Sequence, residues 1–217
     1  MGHHRLMSEG RPLEQPGQTG RAGRPEPPPQ QPAGIVLTPG AGSASDHPNL
    51  LAVESALAKH GVRSLRVDFP YRLAGRRAPD RPAVLVDTVR NALRAFADEL
   101  GVAPERLAVG GRSMGGRICS MAVADGMPAA ALVLISYPLH PPGRPDRLRT
   151  EHFPSIGVPC LFVSGDRDAF GSKIEFEAEV AAIAGPVTHA WIAGGDHSLK
   201  QRDREVAETV ESWLCEA

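Results

Sequence analysis

Gly111-Arg112-Ser113-Met114-Gly115 follows the apolar stretch Leu107-Ala108-Val109 directly and opens a helical pattern. A serine in that G-x-S-x-G setting could serve as a nucleophile. Residues two before and two after it lack side chains, which lets a strand and a helix approach closely around a tight turn and lifts the Ser113 hydroxyl above the sheet edge. The helix beginning at Met114 adds a free backbone N–H and a partial positive charge where an oxyanion would form. A serine hydroxyl is a weak nucleophile until a base takes its proton. Four histidines follow, His140, His152, His189 and His197. His189 falls inside the last apolar run, where it points into packing or solvent. His197, in Gly194-Gly195-Asp196-His197-Ser198, lies just past that run, on the edge that a parallel sheet shares with Ser113, and is the best base by position.

The acid of such a set falls between serine and histidine in the chain, where Ser164-Gly165-Asp166-Arg167-Asp168 ends another apolar run. Asp168 is favoured because the third residue after the glycine reaches across the loop. Asp166 reads as a turn-former bonding its own backbone, and Asp196 is a weaker third choice. A second oxyanion donor is expected from Thr38-Pro39-Gly40-Ala41-Gly42-Ser43, with the Ala41 N–H joining that of Met114 and Gly42 as the alternative. The same loop lacks the third glycine of a dinucleotide fingerprint and the lysine of a phosphate-binding loop, so nucleotide binding ranks low.

The elements that must position these residues are short β-branched apolar runs alternating with helical periodicity, the mark of βαβ units and a parallel sheet. Strands are expected at Ile35–Thr38, Ser64–Asp68, Arg106–Gly110, Ala131–Ser136, Cys160–Ser164 and Thr188–Ala193, all read as runs buried on both faces. Helices are expected at Pro48–His60, Arg81–Leu100, Met114–Asp125, Ser172–Ala184 and Leu199–Cys215. Ser172 and Glu175 form an S-x-x-E capping box, and Gly61, Gly101 and Gly185 stand where helices stop.

At 217 residues, 41% hydrophobic and 23% charged, the chain has the size and apolar content of one ordinary domain with a real core. No apolar stretch approaches the ~20 residues of a membrane span. A net charge of −1 lacks the basic excess of a duplex-binding protein, so neither membrane nor nucleic acid is an expected partner. Cys119, Cys160 and Cys215 match neither a disulfide framework nor a zinc pattern and read as reduced core thiols, so no metal or cofactor is expected. No basic-then-apolar signal segment opens the sequence, which points to the cytoplasm. Residues 1–33 carry seven prolines and five glycines and read as a disordered leader, leaving 34–217 as the domain.

The order of nucleophile, acid and histidine loops on one sheet edge resembles the α/β-hydrolase superfamily over residues 34–217. Asp68-Phe69-Pro70-Tyr71-Arg72, Gly111-Arg112-Ser113-Met114-Gly115-Gly116-Arg117, Tyr137-Pro138-Leu139-His140-Pro141-Pro142-Gly143 and Ser164-Gly165-Asp166-Arg167-Asp168-Ala169-Phe170-Gly171 are similar to the small dienelactone-hydrolase-like branch. That branch includes the testis-expressed hydrolase-like protein and the α/β-hydrolase-like domain of a non-specific-lethal complex subunit. The resemblance implies a minimal α/β-hydrolase fold: a six-stranded, mostly parallel, doubly wound sheet in spatial order 2-1-3-4-5-6, flanked by helices and without a cap domain. It implies Ser113 as nucleophile, Asp168 as acid, His197 as base, and the Ala41 and Met114 amides as oxyanion donors. Pro39 departs from the pattern, since many relatives carry a histidine there that helps hold the oxyanion loop.

The longest irregular stretch, 137–157, is too short for a cap, so the site is expected to be shallow and open to a small ester-type substrate. Gly42, Tyr71, Arg112, His140 and Phe170 are the residues expected to line it. Arg72, Arg76, Arg77, Arg112, Arg144, Arg147 and Arg149 crowd loops at this edge and could meet a substrate carboxylate or phosphate, although with 21 arginines to three lysines arginine is this chain's general surface cation. Cys119 faces the core and is discounted as a nucleophile. The reading is a serine hydrolase of the ester or thioester class. Its competitor is a silent binding or scaffold domain on the same fold.

Overall fold

The computed structural model describes residues 30–215, together with Met1 and Pro28. Most of the expected leader therefore lies outside the described residues. Among these residues six strands form one sheet: β1 (Gly34–Thr38), β2 (Arg63–Arg66), β3 (Leu107–Arg112), β4 (Ala131–Ile135), β5 (Cys160–Gly165) and β6 (Val187–Ile192). Their order is β2-β1-β3-β4-β5-β6 and every pairing is parallel. Among the described residues six α-helices connect and cover them: α1 (Pro48–Ala58), α2 (Pro70–Leu73), α3 (Pro82–Leu100), α4 (Met114–Ala124), α5 (Lys173–Val180) and α6 (Asp203–Cys215).

Alternation along each central strand divides the core into two layers, because successive side chains leave opposite faces of a pleated strand. Val36, Val109, Leu134 and Phe162 face one way, against Leu93 and Phe96 of α3, Ile118 and Ala122 of α4, and Phe176 of α5. Ile35, Leu37, Val133 and Val163 face the other way, against Leu50, Val53 and Leu57 of α1 and Val206, Val210 and Leu214 of α6. The sheet is thus covered on both sides, as a parallel sheet requires.

β1, β4 and β5 are buried throughout, and β3 is buried up to Gly111. The expectation of two-faced burial fails for β2, with Arg63 exposed and the rest half-buried, and for β6, half-buried up to Trp191. Both are edge strands, so each has a neighbour on one side only. α2 has no counterpart among the expected helices. α6 begins at Asp203 rather than Leu199, since Leu199 and Gln201 sit at φ 45° and 62°, outside the helical region. α5 ends at Val180, so Gly185 stops no helix. A Cβ there would meet the Val158 carbonyl oxygen at 2.4 Å, and close backbone approach explains that glycine. The Ser172–Glu175 capping box is present.

Cys119 and Cys160 are buried thiols, each pushed up to about 12 by desolvation, and Cys215 is half-buried at the end of α6. Among the described residues no helix is long and apolar enough to cross a membrane. His189 stacks on Trp191 with centroids 4.0 Å apart and shares a 3.0 Å hydrogen bond with the Ser164 hydroxyl. Burial lowers it from 6.5 to about 3. Burial and then nearby Arg117 lower His152 to about 4. Both folded values lie below the unfolded one, so between about pH 3 and 6.5 the unfolded chain binds more protons. Stability is complete above that window and is lost as pH falls through it. Thermal unfolding measured from about pH 7 to about pH 4 should show a falling Tm, and His189→Gln should make that fall shallower; an unchanged slope contradicts the assignment.

Candidate active site

The four loops that follow β1, β3, β5 and β6 meet at the carboxyl edge of the sheet. Between β3 and α4 the chain reverses at Ser113, held at φ 50° and ψ −118°, a conformation that L-residues rarely adopt. Its N–H donates to the Ile135 carbonyl (2.8 Å), which ties the turn to the end of β4. The flanking glycines are required by contact: a Cβ on Gly111 would lie 2.3 Å from the Thr38 carbonyl oxygen, and one on Gly115 would lie 2.5 Å from the same atom. The surface that these glycines clear is therefore the end of β1, while Gly116 permits the close approach of helix to strand at Gly111.

The Ser113 hydroxyl lies 2.8 Å from His197 Nε2, and His197 Nδ1 lies 2.8 Å from Asp168 Oδ2. A carboxylate only accepts, so the imidazole proton sits on Nδ1 and Nε2 is free to accept from the serine. The Asp168 side chain is 1% exposed and that of His197 20%, a buried acid behind an accessible base. Asp168 Oδ1 accepts from the Phe170 N–H (2.8 Å), which leaves Oδ2 aimed at the ring. The other two carboxylates have different work. Asp166 accepts from the Gly194 N–H (2.7 Å), bridging to the histidine loop rather than bonding its own turn, and Asp196 accepts from the N–H and hydroxyl of Ser198.

The acid and histidine loops are fastened to each other. The Arg167 N–H donates to the Gly195 carbonyl (2.9 Å), and a Cβ on Gly165 would fall 2.2 Å from that oxygen. Phe170 stacks on His197 with centroids 3.8 Å apart and covers one face of the imidazole. Arg112 Nη2 donates to the His197 carbonyl (2.8 Å), so this guanidinium, expected to line a pocket, braces the histidine loop. Burial holds Arg112 below the usual arginine range, opposed by Asp168 and Asp196.

Met114 opens α4, so its N–H has no intrahelical acceptor. Ala41 and Gly42 are exposed above the turn, and a Cβ on Gly40 would lie 3.5 Å from the Ser113 Cβ. Tyr71 is 0% exposed and its hydroxyl donates to the Ala41 carbonyl (2.8 Å), so it lies beneath the loop instead of facing open space. His140 is 5% exposed, with its N–H donating to the Phe170 carbonyl and its ring Nδ1 2.8 Å from the Pro141 carbonyl oxygen. Of the arginine-rich edge, Arg76 pairs with Asp80 at 2.7 Å and Arg144 with Asp146 at 3.5 Å.

A second set of residues was not anticipated from sequence. Asp68 accepts from the N–H (2.7 Å) and hydroxyl (2.8 Å) of Ser45, and Arg66 Nη1 donates to the Ser45 carbonyl (2.9 Å). The segment from Arg66 to Tyr71 thus holds the loop after β1. Its only sequence signal was the Asp68-Phe69-Pro70-Tyr71 run.

A family model described as "Alpha/beta hydrolase domain" matches residues 31–216. The chain belongs to that family. Solved structures agree on the fold of this alpha/beta hydrolase domain. A serine hydrolase homologue from Coxiella burnetii is similar at 19% identity and TM-score 0.67, over 85% of this chain and 86% of that one. Est1E from Butyrivibrio proteoclasticus is 18% identical with TM-score 0.69, over 87% and 89% of the two chains. A dienelactone hydrolase from Anabaena variabilis is 18% identical with TM-score 0.68, over 86% and 87%. No cap domain stands over the sheet edge among the described residues of this hydrolase domain.

Gly165→Ala should drive the acid and histidine loops apart. An overpacked backbone contact of this kind costs about 1–3 kcal/mol. Thermal or urea unfolding of the variant should show at least that loss, and a Tm equal to that of the parent would contradict the backbone contact described.

Proposed function

We propose that this chain is a serine hydrolase of the ester or thioester class that works through an acyl-enzyme on Ser113. The observation that carries the reading is the unbroken line Ser113 Oγ, His197 Nε2, His197 Nδ1, Asp168 Oδ2, with 2.8 Å at each of its two hydrogen bonds, on a serine held in a strained turn. Further support comes from the neighbours, which include an enzyme named as a dienelactone hydrolase and a structure of Est1E with ferulic acid bound.

In this reading His197 Nε2 takes the hydroxyl proton as Ser113 Oγ bonds to the substrate carbonyl carbon, and Asp168 stabilises the imidazolium that forms. The carbonyl electron pair moves onto oxygen, where the Met114 and Ala41 N–H groups receive it. The tetrahedral species collapses by expelling the alcohol or thiol, which leaves with the proton held on Nε2. Water then repeats the sequence on the acyl-enzyme, giving its proton to Nε2 and releasing the acid with Ser113 restored. Stacking by Phe170 on one face of the ring keeps Nε2 directed at the serine. The uncapped edge favours small, accessible esters.

A fluorophosphonate probe should label the folded wild type and fail to label Ser113→Ala or His197→Ala. On short p-nitrophenyl esters, Ser113→Ala should lower kcat by about 10⁶. Folded wild-type protein that neither labels nor turns over such esters overturns the proposal and leaves a binding domain on a hydrolase fold. The two acid candidates separate in the same assay: Asp168→Asn should lower kcat by about 10⁴, as loss of the correct histidine tautomer does elsewhere, and Asp166→Asn by far less.

A further inference from the structure

The loop after β1 carries Pro39, which has no N–H and no polar side chain, so the loop needs some other device to aim an oxyanion donor. In a trans peptide the C=O and the next N–H point to opposite sides of one rigid plane. The Ala41 N–H shares its plane with the Gly40 carbonyl. That carbonyl accepts from both the N–H (3.2 Å) and the hydroxyl (3.3 Å) of Ser43, so the Ala41 N–H is turned to the opposite side. This plane stands beside the nucleophile, because a Cβ on Gly40 would come within 3.5 Å of the Ser113 Cβ.

The plane on the other side of Ala41 is held as well. Its carbonyl accepts from the Tyr71 hydroxyl (2.8 Å), and Tyr71 itself has no exposed surface. Phe69 lies beside Tyr71 with ring centroids 6.4 Å apart and rings nearly parallel, and Pro70 begins the short helix α2 that carries the tyrosine. Both peptide planes that meet at the Ala41 α-carbon thus have their carbonyls held, that of Gly40 within the loop by Ser43 and that of Ala41 from α2 by Tyr71, which restricts its φ and ψ.

We infer that Ser43 and Tyr71 are positioning residues that orient the Ala41 N–H toward the oxyanion, one from each side of its α-carbon. The inference rests on the serine hydrolase reading and extends it to residues that do not touch substrate. It also assigns Tyr71 a task different from lining a pocket. The oxyanion exists only in the transition state, so loosening its donor lowers kcat and leaves ground-state binding unchanged. Deleting an oxyanion donor outright costs about 10²- to 10³-fold in kcat. A donor that is present but free to turn loses part of that.

The test is steady-state ester hydrolysis by wild type, Tyr71→Phe, Ser43→Ala and the double variant, with unfolding curves recorded for each. Each single variant should lose on the order of tenfold or more in kcat at near-constant KM, and the double variant should stay within about 10³-fold because all three act on one N–H. Binding of a boronic acid that forms a tetrahedral anion on serine should weaken in parallel with kcat. Ser43 sits at the partly exposed rim, so Ser43→Ala remains readable if Tyr71→Phe fails to fold. An active wild type beside variants within twofold in kcat overturns this inference alone, as does a raised KM at constant kcat, which would make Tyr71 or Ser43 a substrate contact. A folded wild type without turnover overturns the serine hydrolase reading and this inference with it.

Discussion

The contact between the end of β1 and the turn after β3 sets the geometry of the whole site. Thr38 presses its carbonyl oxygen where Gly111 and Gly115 have no side chains, and its hydroxyl donates to the Gly110 carbonyl (3.1 Å). This brings the loop bearing Ala41 and the strained Ser113 together as two parts of one backbone assembly. Positive φ at a serine is unfavourable, and such a conformation persists only where surrounding structure holds it. Here the holding groups are the Ile135 carbonyl on the Ser113 N–H and the first turn of α4, where the Arg117 N–H donates to the Ser113 carbonyl (3.1 Å).

Asp168 and His197 reach the serine through a second assembly of the same kind. β5 and β6 end side by side, and Gly165 permits the Gly195 backbone to lie against it. Asp168 and His197 therefore depend on each other's loops as much as on their own strands. Arg112 joins the two assemblies, leaving from the end of β3 and binding the histidine loop at its backbone. These contacts leave the serine–histidine–aspartate line little room to drift.

How much of this was legible follows from what kind of signal each part leaves. The central strands and the main helices were legible because burial imposes periodicity, and a parallel sheet puts the loops that carry Ser113, Asp168 and His197 on one edge. The positions of Tyr71 and Asp68 were not legible in the same way. Tyr71 donates to a backbone carbonyl 30 residues away and Asp68 accepts from a backbone N–H 23 residues away, and backbone partners leave no mark in side-chain identity. Edge strands misled for a related reason: Ser64 to Asp68 has β-branched and apolar character on one face only. Gly185 and Gly61 look alike in sequence. Only the fold shows that one yields to a neighbouring carbonyl while the other takes a left-handed turn at φ 74°.

The packing of α1 on α6 has a consequence for the order of events during synthesis. Leu50, Val53 and Leu57 find their covering layer in Val206, Val210 and Leu214, and His60 meets Glu211 across a separation of 151 residues at 2.8 Å. A ribosome adding about 5–20 residues per second needs on the order of ten seconds or more to deliver that partner. Through that interval the apolar side of α1 and one face of the growing sheet stand open, and Asn49 still lacks Asp203, which accepts its side-chain N–H in the finished protein. α1 therefore cannot complete its packing until α6 has emerged, and the pace of translation across the 151 residues from His60 to Glu211 sets how long its apolar side stays uncovered.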